Sequence, residues 1–100
     1  MAVDTIEGVL QDVLHYHYDV EADVLYLRLC AAVGQEVYGE EDEHGFHVMR
    51  LLTDDRAVGM TVVGFWRQFG DQTQPLTQVP DWERRLERTV DTVGRGLLAA

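Results

Sequence analysis

The stretch "YDVEADVLYLRL", Tyr18 to Leu29, places carboxylates at every second position: Asp19, Glu21 and Asp23. Oxygen ligands at positions one, three and five open a calcium loop, which then needs Gly at six and a bidentate Glu at twelve. Counted from Asp19, those positions hold Val24 and Cys30. The triplet therefore reads as a turn, with Asp19 and Asp23 bonding to nearby amides and Glu21 facing water. A second group lies on either side of it. His15, His17 and Cys30 share one face if both flanking segments are strands. Imidazole and thiolate are zinc ligands, so these three are the candidates for a metal or small-ligand site. His44 and His47 are three apart at a loop–strand junction, a spacing that gives no common face, and there is no second cysteine.

Covalent chemistry finds little support. The chain has no Ser, and Cys30 beside His15 or His17 is the only thiol–imidazole option. The run Glu40, Glu41, Asp42, Glu43 could do acid–base work only in a cleft that raises a carboxyl pKa. Four consecutive carboxylates read instead as a solvated loop. No phosphate-cradling or dinucleotide fingerprint is present. The reading is a non-enzymatic protein with no cofactor and no dedicated metal.

Charge points the same way. Eighteen carboxylates against eight Arg and no Lys give a formal net charge of −10. Direct nucleic-acid binding and docking on an anionic membrane both need a clustered positive face. An acidic chain is instead steered toward a basic protein partner. Asp19, Glu21, Asp23, Glu40, Glu41, Asp42 and Glu43 would supply that charge. Trp66 and Phe69 are large apolar groups in a polar stretch. Either they contact a partner or they cap the core beneath a helix. The function expected is a protein-interaction module, antitoxin-like in neutralising a basic partner. The alternative is a small-ligand or metal-binding domain on the histidine-bearing face. The first residues show no basic segment followed by a long apolar run, and no stretch approaches the ~20 apolar residues that cross a bilayer. The expected location is the cytoplasm.

The elements that must position these residues follow from periodicity. One hundred residues make one domain. Ile6, Val9, Leu10 and Val13 at helical spacing, with Asp4 and Glu7 as a capping box, predict a short helix over 4–12. "VLHYHY" and "VLYLRLC" alternate and predict a hairpin, with Leu25, Leu27 and Leu29 on the core face. A short strand is expected at 36–38, another over 46–51, and another over 57–66 with both faces apolar. Trp82, Leu86, Val90, Val93 and Leu97 form one stripe, predicting a C-terminal helix over 80–95. Asp81 is its N-cap, and Gly94 and Gly96 mark its end. The class is α+β: a small antiparallel meander of about four strands under one helix, with a β core over 13–66. The uncovered sheet face must be polar or meet another chain, so self-association through it is expected.

"YDVEADVLYLRL", an acidic segment, and "DEHGFHVMRLLTDDRAVGMTVVGF" resemble the small prokaryotic family catalogued as domain of unknown function 2283. The matching residues are Tyr18, Asp19, Glu21, Ala22, Asp23, Leu25, Tyr26 and Leu29, then Gly45, Val48, Val58 and Gly59. They span 18–65, about half the chain. "TDDRA" stands where the family usually has a turn Gly, and Met49 and Arg50 stand where it often has acidic residues. The resemblance implies a compact meander without an established activity. Members are similar to proteins encoded beside small toxin-like proteins, which implies an antitoxin role.

Overall fold

The structure is a computed structural model that describes residues 5–41, 46–70 and 74–98, the last three by backbone alone. Six antiparallel strands form one sheet: β1 (Thr5–Leu10), β2 (Leu14–Asp19), β3 (Val24–Leu29), β4 (Val37–Glu41), β5 (His47–Leu51) and β6 (Ala57–Val63). Their order is β1-β2-β3-β6-β5-β4, two three-stranded meanders joined where β3 pairs with β6. A short helix, α1 (Phe65–Phe69), follows β6, and a long one, α2 (Trp82–Leu98), ends the described chain.

Two expectations are corrected here. The sheet has six strands, not about four, because the N-terminal segment is a strand and the 36–38 strand extends to a full edge. Residues 5–10 contain both a helical spacing and an alternation, Ile6–Gly8–Leu10. Pairing with β2 decides for the alternation: Ile6 faces Tyr18, Gly8 faces Tyr16 and Leu10 faces Leu14. Gly8, a poor residue for a helix, suits this strand because the Tyr16 phenol lies over it. A Cβ there would fall 2.5–2.7 Å from that ring. Glu7, assigned to a capping box, instead meets His17 across the strands; its partner Asp4 is outside the described residues.

The predicted hairpin forms, with Tyr16 opposite Leu27 and Tyr18 opposite Leu25. The turn between the strands needs Asp23 at φ 56°, a left-handed conformation that Asp tolerates. The strand expected over 57–66 ends at Val63. Gly64, at φ 70°, turns the chain so that Phe65 leaves the sheet and becomes fully buried in α1. A β-bulge between Met49 and Arg50 shifts the β5–β6 register.

A small cluster joins Ala32, Leu51 and Val58 with Leu29 and Val37, and the main core lies on one sheet face. Leu14, Tyr16, Tyr18, Leu25, Leu27 and Val62 pack there against Phe65, Trp66, Leu76, Leu86 and Val90. Each large apolar group buried this way contributes about 1.5–3 kcal/mol. The α2 stripe delivers Leu86 and Val90 fully, with Trp82 and Val93 at its margins; the Leu97 side chain is outside the described residues. The helix runs through Gly94 rather than ending there. Gly94 is where α2 comes closest to β2: a Cβ on it would overlap the Leu14 side chain. Among the described residues, no helix is long and apolar enough to cross a membrane.

Candidate functional site

The face left bare is built from three cross-strand rows. One is Thr5–Asp19–Val24–Val63. The next is Glu7–His17–Tyr26–Thr61–His47–Glu41, and the third is Val9–His15–Arg28–Gly59–Met49–Gly39. Alternation puts the histidines here because their neighbours Leu14, Tyr16 and Tyr18 are committed to the core. Val9, Tyr26 and Val63 stand 44–51% exposed, one in each row.

A hollow of about 360 Å³ opens between β2, β3 and β5, lined by His15, His17, Tyr26, Arg28, Val33 and Met49. His17 is engaged: its Nδ1 lies 2.6 Å from Glu7 Oε1, and its ring meets Tyr26 edge-on at 5.8 Å. Arg28 is half-buried, and no described residue pairs with its guanidinium. It stands directly across from His15.

This differs from the set expected for metal or ligand. His15 and His17 do share a face, but Cys30 does not line the hollow with them. The strand stops at Leu29, and Cys30 starts a 3-10 turn whose amide donates to the Val13 carbonyl at 2.8 Å. Alternation no longer governs where its thiol sits. Among the described residues, no three His, Cys, Asp or Glu side chains come together as metal ligands. Arg28 is the residue that sequence reasoning passed over. Its signal was available: a lone cation on a histidine face of a chain whose other charges are mostly acidic.

The acidic candidates scatter into separate roles. Asp23 is internal wiring. Its carboxylate accepts from the Tyr18 hydroxyl at 2.7 Å, the Trp66 amide at 2.7 Å and the Arg67 amide at 3.2 Å. Its carbonyl accepts from the amides of Gly64 and Phe65. Asp23 thus caps α1 from 43 residues away, satisfying amides that a helix start leaves open. Asp19 Oδ1 accepts from the Ala22 amide at 3.1 Å, the turn bond expected of it. Glu40 pairs with Arg50 Nε at 3.0 Å. Glu21 and Glu41 are exposed, while Asp42 and Glu43 are outside the described residues. Trp66 is 4% exposed and donates from Nε1 to the Gln74 carbonyl, which places it in the core. Phe69 is 41% exposed, with its ring 6.0 Å from Phe46 and 6.3 Å from Phe65.

The tyrosines record these environments. Burial, then the bond to Asp23, pushes the Tyr18 phenol far above its ordinary value; burial and the charge of Glu87 raise Tyr16. The unfolded chain ionises tyrosine near 10, so between that pH and the raised values the folded state holds protons the unfolded state has lost. Stability is full below about pH 10 and falls as pH rises further. A titration followed by phenolate absorbance should show Tyr16 and Tyr18 ionising only as the protein unfolds; smooth ionisation of all four tyrosines near pH 10 would contradict this.

Comparison of the chain with protein-family models, with curated proteins and with solved structures finds no match.

Proposed function

We propose that this protein is an interaction module that docks through its bare sheet face onto a second copy of itself and turns its acidic surface outward to a basic protein partner. The observation that carries the reading is the face itself: one aliphatic or aromatic side chain exposed in each of three adjacent rows, Val63, Tyr26 and Val9. Tyr26 and Val63 are diagonal neighbours on β3 and β6, Val9 stands two strands from Tyr26 beyond the histidines, and an exposed apolar patch marks an interaction surface. The charge of this face leaves room for a second copy as the occupant. The chain carries −10 overall, and two such chains repel. The bare face carries three carboxylates, Glu7, Asp19 and Glu41, against Arg28 and three imidazoles, so most of the excess lies elsewhere. Six strands at ordinary spacing make a patch about 25 Å by 17 Å. Two such patches come to about 850 Å², under the ~1,000 Å² of a specific stable pair and in the range of a weak, concentration-dependent one.

Self-association is checked by light scattering across a concentration series. A mass twice the 11.4 kDa of one chain is expected at high concentration. Val63→Asp, an exposed position on β6, should shift the species to one chain while leaving the thermal midpoint within a few degrees, as surface substitutions cost about 0.5 kcal/mol or less. A single-chain mass at all concentrations would overturn this part. The basic partner rests on the overall charge and on Glu21 and Glu41, free carboxylates toward the same end of the sheet. The resemblance to a family whose members are similar to proteins encoded beside small toxin-like proteins supports it. Binding to such a partner should weaken as salt rises, because exposed charges separated by more than about 8–10 Å are screened.

A further inference from the structure

We propose that the hollow on the bare face is a binding site for a small monocarboxylate with a compact apolar or aromatic body. Its volume, about 360 Å³, lies within the range of small-molecule sites. Its polar groups converge. Arg28 is a half-buried guanidinium that no described residue pairs with, and His15 faces it across β2 and β3. A guanidinium presents two parallel N–H donors that match a carboxylate, and such charge-assisted pairs are among the stronger hydrogen bonds. The nearest carboxylate on this face in the adjoining row, Glu7, is already held by His17 at 2.6 Å, which leaves Arg28 unclaimed among the described residues. The remaining walls are apolar: Val33, Met49 and the Tyr26 ring.

Gly59 keeps this space open. It stands between Arg28 and Met49 in the cross-strand row, and it contributes no side chain where the two would otherwise be separated. The position tolerates none: a Cβ there would lie 2.9 Å from the Leu27 carbonyl oxygen and 3.2 Å from Met49 Cβ. Charge also selects the ligand. The −10 chain repels polyanions, so one carboxylate held by one guanidinium fits where a polyphosphate does not. The inference goes beyond self-association, since every lining residue belongs to a single copy. A second copy on this face would roof the hollow, which on one chain is open to solvent.

Benzoate is the probe, followed by NMR of the backbone amides and the imidazole protons. Saturating shifts confined to His15, His17, Arg28, Val33 and Met49 are expected. Arg28→Gln should weaken the affinity at least about tenfold and leave the melting temperature unchanged, because the guanidinium holds no described group. Benzyl alcohol, with the same ring and no charge, should bind at least about tenfold more weakly than benzoate. Shifts that fail to saturate well above millimolar benzoate would overturn the proposal. So would equal affinity for the alcohol, or saturation by inorganic phosphate alone. Mass by light scattering without benzoate reads the self-association separately, so either idea can fail while the other stands.

Discussion

Asp23→Ala should lower the stability of the protein by about 3–5 kcal/mol, which for a chain this size moves the melting midpoint down by about 15 °C or more. Three donors converge on that carboxylate. The Tyr18 hydroxyl belongs to a residue 2% exposed, and an unpaired buried hydroxyl costs about 1–3 kcal/mol. The amides of Trp66 and Arg67 lose their cap, about 1 kcal/mol more. Alanine at φ 56° adds about another, since it lacks the short polar side chain whose local hydrogen bonds let Asp tolerate the left-handed conformation. Asp23→Asn keeps an acceptor oxygen and tolerates that φ, so it should cost about a third as much. Thermal or urea unfolding of the two variants checks this. Equal, small losses would mean that Asp23 is a solvated turn residue and that its bonds to β2 and α1 contribute little.

Trp66→Ala should be as damaging, at about 3–5 kcal/mol, the usual cost of truncating a buried aromatic. The indole lies in the main core with Phe65 and Leu86. Its Nε1 bonds to the Gln74 carbonyl at 3.2 Å, and Arg85 sits over the ring at 5.9 Å. Gly70 packs so closely against the ring that a Cβ there would overlap it. Trp66→Phe should recover more than half of the loss, because most of the effect is volume. The bond from Trp66 to Asp23 is donated by the backbone amide, which Trp66→Ala leaves in place, so the truncation reads the volume and contacts of the indole alone. A loss under about 1 kcal/mol would place Trp66 on the surface, as a partner-contacting residue would be.

These two residues show why parts of the fold were legible and parts were not. The β2–β3 hairpin and α2 could be read because their signals are local: strict alternation in "VLYLRL" and one apolar stripe from Trp82 to Val93. The edge strand β1 could not, because Ile6, Val9, Leu10 and Val13 mimic a helix, and the decisive fact, Tyr16 lying over Gly8, comes from another strand. Helix α1 has no local cap at all. Its cap is Asp23, and nothing near Phe65 in the sequence announces a carboxylate 43 residues upstream. The expected site fared similarly. Sharing of a face by His15 and His17 follows from alternation, which holds as long as the strand does. Cys30 drops out where β3 gives way to a 3-10 turn, and Arg28 gains its place by standing across from His15. The run of carboxylates looked uniform in sequence, yet Asp23 is occupied inside the fold and Glu40 by Arg50, while Glu21 and Glu41 face solvent.

Whether the bare sheet face joins two copies can be read from intermolecular nuclear Overhauser effects in a sample mixing labelled and unlabelled chains. Cross-chain contacts should involve the Val9 and Val63 methyls and the Tyr26 ring, the exposed apolar groups of the three rows, and should vanish in Val63→Asp. Cross-chain contacts confined to α2 or to the free edge of β1, or none at concentrations where light scattering gives a two-chain mass, would contradict the assignment of this face as the docking surface.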